Sequence, residues 1–447
     1  MAEFSRVSDG YAFCACDLLA YAAVAASWEW LFLLRRSIPA PFPRKPLMSL
    51  AAHDRSLNAD TSAIRSTPVG LVLFALAMGG FAIGTTEFAA MSLLPYFSVG
   101  LGIDEPTAGH VISIYALGVV VGAPLIAVLA ARLPRRTLLI GLMGVFALGN
   151  GLSALAPNYH WMLAFRFLSG LPHGAYFGVA ALVAASLSPP NRRAQSVARV
   201  MLGLTIATIL GVPAASWMGQ VLGWRSGFAI VAGLALLTVL LITLFAPRDK
   251  VQKGASPLRE LGALKRRQVW LTLATGAIGF GGLFAVYTYL ASTLMAVTGV
   301  GPATVPVVLA VFGLGLTFGT LFAGWAADRA LVPATIGMLL WSAFWLAAFP
   351  FAADNIWAMS LVVFMIGSGG GLGAMLQTRL MDVAEDAQTL AAALNHSAFN
   401  TANALGPWLG GMAIAAGYGW TSTGWVGAAL ALGGLAIWIV AIIDARR

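Results

Sequence analysis

Long apolar blocks separated by short polar breaks run from about residue 69 to the end of the chain. A helix needs roughly 20 apolar residues to cross a bilayer, and each block is close to that length. The blocks lack the apolar–polar alternation of a transmembrane β-barrel. We therefore predict an all-α membrane protein with twelve spans, numbered in chain order: 69–94, 108–131, 137–155, 161–187, 197–222, 227–246, 269–297, 303–327, 333–352, 355–376, 389–416 and 420–443.

The longest polar interruption inside this region divides the spans into six and six. We predict an N-terminal six-helix bundle over 68–246, a cytoplasmic linker over 247–267 and a C-terminal bundle over 268–447. A constant offset of 197 residues relates glycines of the two halves: Gly118 to Gly315, Gly122 to Gly319, Gly170 to Gly367 and Gly174 to Gly371. This offset predicts two parallel, pseudo-symmetric repeats, an arrangement that places a substrate site between the halves.

Composition and charge placement narrow the class of protein. The 447 residues are 59% hydrophobic and 10% charged, which excludes an ordinary soluble enzyme. Lysine and arginine follow the even-numbered spans and fill the linker, whereas the opposite side carries Arg225 together with Asp104, Glu105 and Asp354. Cationic loops face the cytoplasm, so we predict a multi-pass inner-membrane protein whose twelve-span body has both ends inside. The net charge of +9 therefore follows from topology and does not predict nucleic-acid binding.

Residues 1–67 do not fit the repeating pattern. The apolar stretch 18–34 is interrupted by Glu29 and has no cationic region before it, so it fits a signal peptide poorly, and a thirteenth span remains an alternative. Met48 opens a polar stretch that is typical of a cytoplasmic N-terminus. We expect 1–67 to be an N-terminal extension that is disordered or partly non-native translation, with the natural start near Met48. Both cysteines, Cys14 and Cys16, lie in it.

Glu87 is the acid that lies deep inside a predicted span after residue 67. Counting about 1.5 Å per residue from Val69 puts it roughly 27 Å from the cytoplasmic end of span 1, in the outer half of the membrane. Span 4 runs the opposite way, so Arg166 lies in the outer half too. A buried carboxylate is costly unless paired, protonated or functional, so we predict that Glu87 and Arg166 couple transport to protons. A fixed ion pair and a helix-packing role for Arg166 are the alternatives.

Polar and aromatic stripes on three further spans are candidates for a substrate cavity. Helical spacing aligns Arg166, Gly170, His173 and Phe177 on span 4, and polar residues of span 11 lie at the same kind of spacing. Hydrogen bonding between helices, or aromatic packing, explains these stripes equally well. The predicted cavity residues are Thr86, His173, Phe280, Phe284, Tyr287, His396, Asn400 and Asn403.

The chain lacks the sequence patterns of two common energy and metal sites. No glycine-rich loop ends in Gly-Lys-Ser or Gly-Lys-Thr, and no His-Glu-x-x-His occurs. We therefore expect no cofactor, with the proton gradient as the energy source. A nucleophile–base pair is also missing, so we predict that the protein is not an enzyme.

Several motifs resemble those of one transporter family. The first is Gly84-Thr85-Thr86-Glu87-Phe88, continuing to Leu93-Leu94-Pro95. The loop after span 2, 127–136, resembles the signature G-x-L-A-D-R-x-G-R-R, although Ala131 replaces its acid and Pro134 its second glycine. The second half keeps a fuller copy over 324–329, and Arg166 with Gly170 resembles the span-4 motif. The span-5 antiporter motif is matched by Gly203, Gly211, Pro213 and Gly219, with Val212 interrupting its usual Gly-Pro.

These motifs resemble the major facilitator superfamily and, within it, the arabinose-efflux-permease-like branch of the twelve-span drug:proton antiporters. The resemblance covers about 68–445. It implies a cytoplasmic gate formed by Arg132, Arg135, Arg136, Asp328 and Arg329. The loop after span 2 lacks the acid that this gate network uses in the family.

The expected function is proton-coupled export of a small organic molecule, drug-like or a sugar, by alternating access. The expected partners are substrate, protons and lipid, with no nucleic acid, and the superfamily implies a monomer. Proton-coupled uptake and nucleoside or sugar efflux are alternatives within transport. A membrane receptor or enzyme on a transporter-like scaffold is the alternative from another class.

Overall fold

The computed structural model describes residues 68–129, 133–189, 193–248, 264–384 and 388–446, and every regular element in these ranges is helical. The predicted extension 1–67, most of the predicted linker and Arg132 lie outside the described residues. Helices suit this sequence because a helix satisfies its own backbone hydrogen bonds where no water is present.

The first half contains six spans. Span 1 is followed by a short helix, Leu94–Leu101, that was not expected as a separate element. Span 5 is interrupted by a π-helical turn, Ala207–Gly211, which ends two residues before Pro213. The helices of spans 1 to 6 are Val69–Ser92, Glu105–Leu129, Arg135–Ala154, Tyr159–Ser186, Arg193–Ile206 continuing as Val212–Leu222, and Trp224–Phe245.

The second half departs from the predicted boundaries at spans 8 and 9. They form one helix, Val305–Ala352, and only Ala330 leaves helical geometry, with φ −161° and ψ 79°. Short irregular turns also interrupt spans 7 and 10. The remaining helices are Arg267–Gly279 and Gly281–Ala296 in span 7, Ile356–Ser368 and Leu372–Ala384 in span 10, Gln388–Ala413 in span 11 and Ser422–Ala445 in span 12.

Within the described ranges, ten helices are long and apolar enough to cross a membrane. The longest has 51 residues and contains spans 8 and 9, which meet at Ala330. Span 11 is the further 26-residue helix Gln388–Ala413. Counted this way, the described helices account for the twelve predicted spans.

Side-chain caps fix where three spans begin on the outer side. Asp104 Oδ1 accepts the backbone N–H of Thr107 at 2.9 Å at the start of span 2. Asn158 and Asn355 cap spans 4 and 10 in the same way. Hydrogen bonds from Thr107 hold the pKa of Asp104 below its ordinary value, because they stabilise the carboxylate.

The packing of the two halves repeats with the sequence. A Cβ added to Gly122 would lie 2.1 Å from the carbonyl oxygen of Leu171, and one added to Gly319 would lie 1.9 Å from that of Ser368. The two glycines are 197 residues apart and so are the two carbonyls. Spans 2 and 4 therefore cross as spans 8 and 10 do, which confirms the predicted repeat.

Among the described residues, one buried apolar cluster joins the cores of the two halves, and it lies on the predicted outer side. The largest buried apolar cluster contains residues of both halves and includes the outer ends of spans 1, 4, 7 and 10. A second cluster, from Val72 to Ala246, is confined to the first half, and two further clusters are confined to the second. The halves therefore share a core on the predicted outer side and keep separate cores toward the predicted cytoplasm.

Candidate functional site

Glu87 lies at the boundary between the two halves. Its side chain is 8% exposed, and its Oε1 accepts a hydrogen bond of 3.1 Å from Nδ2 of Asn403 on span 11. Asn403 is fully buried, and no described residue donates a hydrogen bond to its Oδ1. One hydrogen bond between two buried polar side chains thus joins spans 1 and 11.

Arg166 lies close to Glu87 but does not form an ion pair with it among the described residues. Its Nη1 donates instead to Thr86 Oγ1 at 3.2 Å and, more weakly, to Asn150 Oδ1 at 3.5 Å. The guanidinium also stacks on the ring of Tyr115, with Cζ 4.2 Å from the ring centroid. Glu87 and Arg166 still interact electrostatically, so a positive charge faces the carboxylate without neutralising it by contact.

Thr86 belongs to this Arg166 cluster. Its hydroxyl donates to Asn150 Oδ1 at 2.7 Å while accepting from Arg166. The side chain therefore lies among spans 1, 3 and 4, away from the second half. The prediction that Thr86 lines the substrate cavity stays a prediction, and in this structure its hydroxyl is bonded to Arg166 and Asn150.

An aromatic cluster beside Glu87 spans the boundary between the two halves. Phe88 contacts Phe284 and Tyr287 of span 7, with ring centroids 6.2 and 5.4 Å away. Tyr287 also packs on Phe312 at 4.2 Å, and Phe280 joins the cluster through Phe284 at 5.5 Å. The predicted aromatic stripe of span 7 therefore contacts Phe88, the residue that follows Glu87 in the chain.

His173 and His396 meet through one aromatic ring. His173 Nδ1 and the Tyr115 hydroxyl are 3.0 Å apart, and Phe177 stacks on His396 with centroids 5.6 Å apart and planes 6° apart. These contacts join spans 4 and 11. On the same face of span 11, Asn400 donates to the backbone of His396, and no described residue donates to its Oδ1.

The span-5 motif packs directly against span 1. A Cβ on Gly203 would lie 2.0 Å from the carbonyl oxygen of Ala77, and one on Gly211 would lie 2.3 Å from Thr85 Oγ1. Gly219 meets Leu93 in the same way, at 2.2 Å. The neighbour of Gly203 is backbone, which cannot give way as the Leu93 side chain can, so span 5 must pass close to the helix that carries Glu87 at Gly203.

Of the predicted gate residues, Arg135 and Arg136 lie at the start of span 3, and Asp328 and Arg329 lie at the end of span 8. Asp328 and Arg329 are exposed just before the break at Ala330, and the Arg329 guanidinium lies over the Trp325 ring at 3.9 Å. Arg136 donates to the backbone of Thr243 at 2.5 Å. It also lines, with Arg135, a cavity of about 50 Å³ inside the first half. The gate assignment stays a prediction.

A larger groove of about 460 Å³ lies between spans 2, 4 and 11 at their outer ends. Its lining is mainly apolar, with His110 and Tyr159 in hydrogen-bond contact at 3.0 Å. It shares no lining residue with the Glu87 or Arg166 contacts, so it is distinct from the polar site.

Four residues of the site were not identified from the sequence: Tyr115, Asn150, Phe88 and Phe312. Asn150 is a lone amide in an otherwise apolar part of span 3, which is a signal of the same kind as Glu87. Tyr115 and Phe312 are themselves 197 residues apart, and each lies three residues before a paired glycine, so the repeat pointed to both. Phe88 follows Glu87 directly.

A buried charged cluster at the interface between two pseudo-symmetric membrane bundles defines a secondary transporter. The profile of the Major Facilitator Superfamily matches residues 76–333 and 284–447. The chain belongs to this superfamily, and it is a transporter, not an enzyme.

Three relatives have similar sequences over most of their length. The inner membrane transport protein YdhP of Escherichia coli K12 is 41% identical, over 84% of this chain and 96% of that protein. The putative transporter AraJ of the same strain is 31% identical, over 77% and 88%. The chloramphenicol resistance protein of Streptomyces lividans is 35% identical, over 75% and 87%. These similarities agree with the resemblance to the arabinose-efflux-permease-like branch.

A solved structure has the same fold. It is a bacterial homologue of the human lysosomal transporter Spinster, in an inward-facing and occupied conformation. The TM-score is 0.65 at 17% identity, over 83% of this chain and 96% of that one. With the apolar helices and the inner-membrane relative, the fold identifies a multi-pass inner-membrane protein.

Proposed function

We propose that the protein exports small organic molecules in exchange for protons, by exposing a central site to each side of the membrane in turn. The observation that carries this proposal is the position of Glu87, a buried carboxylate at the boundary between the halves. The relative associated with chloramphenicol resistance and the span-5 glycines packed on span 1 support export as the direction. One chain supplies both sides of the site, so we propose that a monomer is sufficient.

Protonation of Glu87 is the proposed coupling event. A carboxylate inside the membrane is costly unless it is protonated or stabilised, and Arg166 stabilises it without contact. When the outer side opens, water reaches Glu87 and a proton from outside binds to its carboxylate. When the inner side opens, the proton leaves to the cytoplasm. Arg166 stays within the first half throughout, held by Thr86, Asn150 and Tyr115.

The substrate is proposed to bind in the aromatic cluster next to Glu87. Phe88 follows Glu87 directly in the chain, and its ring touches those of Phe284 and Tyr287. The aromatic cluster therefore lies immediately beside the carboxylate. A substrate among these rings competes with the proton because it favours the deprotonated site. Each ligand then weakens the other, which is the reciprocal coupling that antiport requires.

The test is transport by purified protein in sealed vesicles with an imposed pH gradient, with radiolabelled chloramphenicol as the first probe. Glu87→Gln resembles the protonated acid but cannot release a proton. We expect this variant to bind or passively exchange the probe and to lose accumulation driven by the gradient. Glu87→Asp should keep part of the activity. Asp354→Asn, in an exposed outer loop, is the matched control and should behave as the unmodified protein.

A purely structural role for Glu87 gives a different pattern. Both substitutions would then lower expression and thermal stability, and the protein that folds would still couple transport to protons. A well-folded Glu87→Gln protein that concentrates the probe by using the pH gradient would exclude the proposal.

A further inference from the structure

The amide of Asn403 is only half satisfied by its contact with Glu87. Its Nδ2 donates to Glu87 Oε1 at 3.1 Å, whereas its Oδ1 is buried and receives no hydrogen bond from the described residues. Leaving a buried acceptor unpaired costs free energy, so this oxygen needs a donor nearby. If the carboxyl group of Glu87 were protonated, its O–H group would supply that donor.

The two protonation states of Glu87 offer Asn403 different numbers of hydrogen bonds. An ionised carboxylate has acceptors only, so it can take one bond from Nδ2 and presents lone pairs to Oδ1. A protonated carboxyl group also has one O–H donor. It can accept from Nδ2 and donate to Oδ1 together, which satisfies both ends of the amide.

We propose that Asn403 is the positioning residue that couples protonation of Glu87 to closure of the outer side. This inference rests on the proposed function and names how the proton moves the halves. Asn403 belongs to span 11 and Glu87 to span 1, so their contact exists only while the halves are together. Protonation raises the contact from one hydrogen bond to two and therefore favours the closed outer side.

The other groups that face Glu87 cannot transmit this signal. Arg166 and Tyr115 interact electrostatically with the carboxylate, but both belong to the first half and move with it. On the second half, Tyr287 packs against Phe88 and His396 against Phe177, and neither hydrogen-bonds the carboxylate in the described structure. His173, also in the first half, is engaged by the Tyr115 hydroxyl.

The direction agrees with exchange of an exported substrate for an entering proton. A proton from outside binds Glu87 while the outer side is open. The two-bond contact with Asn403 then closes that side and the cytoplasmic side opens. Loss of the proton to the cytoplasm leaves the one-bond contact, which allows the outer side to reopen with substrate bound.

Distances across the outer side test the inference without any substrate. Spin labels at Leu155→Cys and Trp357→Cys report on the two halves, because both positions are exposed, one at the outer end of span 3 and the other at the outer end of span 10. Cys14 and Cys16 are first replaced by serine. Double electron–electron resonance is recorded on the full chain in lipid nanodiscs from alkaline to acidic pH. We expect the closed population to rise as the pH falls.

Variants of the contact separate its two states. Asn403→Leu removes both hydrogen bonds, and we expect the pH-dependent change in the closed-to-open ratio to shrink about fivefold, as the loss of one net hydrogen bond implies. Asn403→Gln keeps the amide and should restore part of the response. Glu87→Gln should favour the closed outer side at every pH, since an amide also offers one donor and one acceptor. Thr320→Val, on the exposed face of span 8 and with the same kind of hydrogen bond to its own helix, is the control and should leave the response unchanged.

Two results would overturn the inference: a full pH response in a folded Asn403→Leu protein, or an open outer side in Glu87→Gln at acidic pH. Asn403→Ala gives the same test if the leucine variant fails to fold. Proton-coupled transport by the unmodified protein is measured in parallel. If that transport is missing, the proposed function fails; if it is present and Asn403→Leu keeps its pH response, only the role of Asn403 fails.

Discussion

Gly319 and Gly324 lie on the same helix, and replacing each in turn by alanine tests how closely spans 8 and 10 pack where they cross. A Cβ on Gly319 would lie 1.9 Å from the Ser368 carbonyl oxygen, about 1.5 Å inside the 3.4 Å at which ordinary contact begins. A Cβ on Gly324 meets nothing within 4 Å. Spans 8 and 10 must therefore separate to accept Gly319→Ala, whereas Gly324→Ala needs no movement.

The expected magnitudes have opposite signs. Overpacking of this kind costs up to about 3 kcal/mol, and replacing a helical glycine by alanine returns about 1 kcal/mol. Gly319→Ala should therefore lose about 2 kcal/mol of unfolding free energy, and Gly324→Ala should gain up to about 1 kcal/mol. By the repeat, Gly122→Ala should resemble Gly319→Ala, and Gly144→Ala, which also meets nothing within 4 Å, should resemble Gly324→Ala.

Equilibrium unfolding of the purified protein by SDS titration in mixed micelles measures these differences, with tryptophan fluorescence as the signal. Equal stability of Gly319→Ala and Gly324→Ala would contradict the close packing of spans 8 and 10. Destabilisation by Gly319→Ala but not by Gly122→Ala would contradict the equivalence of the two crossings.

Two further predictions concern the cytoplasmic side. Asp328→Asn should slow exchange between the two orientations and leave probe binding largely intact, because an acid beside the break at Ala330 can hold the gate closed; binding loss with an unchanged exchange rate, measured by counterflow, would contradict this. Replacing all three cations that precede span 7 by glutamine should reduce correct insertion more than it changes substrate choice. Each of these cations contributes up to about 1 kcal/mol of attraction to anionic lipid. The three residues are Lys265, Arg266 and Arg267, and unchanged topology in a reporter-fusion assay would contradict the second prediction. Arg267 also pairs with Asp444 at 3.0 Å, but it is 73% exposed, so this pair alone should add little stability.

The number and approximate positions of the helices could be predicted, because in a membrane protein the hydropathy along the chain marks each span. Boundaries failed where hydropathy carries no signal. Spans 8 and 9 are joined without a loop, since Ala330 changes the chain direction by its backbone angles and not by a polar break. The helix Leu94–Leu101 was missed because it continues the apolar block of span 1.

Depth along the helices could also be predicted, whereas side-chain partners could not. Counting residues placed Glu87 and Arg166 at similar levels, and the structure brings them near each other. The rotation of span 1 about its axis decides which of Thr86 and Glu87 meets Arg166, and one residue turns a helix by about 100°. Thr86 faces Arg166 and Glu87 faces Asn403. This rotation of span 1 depends on how it packs against its neighbouring helices, which the sequence of span 1 does not contain.

The offset of 197 residues has a consequence for how such a transporter can change. The repeat places Phe284 at the position of Glu87, Val363 at that of Arg166 and Phe312 at that of Tyr115. The scaffold is duplicated, but the charge is present in one copy and aromatic or aliphatic side chains occupy the other. On the proposed mechanism, the carboxylate that takes up the proton lies in one copy, and the matching positions of the other copy carry rings that face the substrate. Substitutions at Phe284 and Phe312 can then alter which compounds fit without removing the carboxylate that drives their movement.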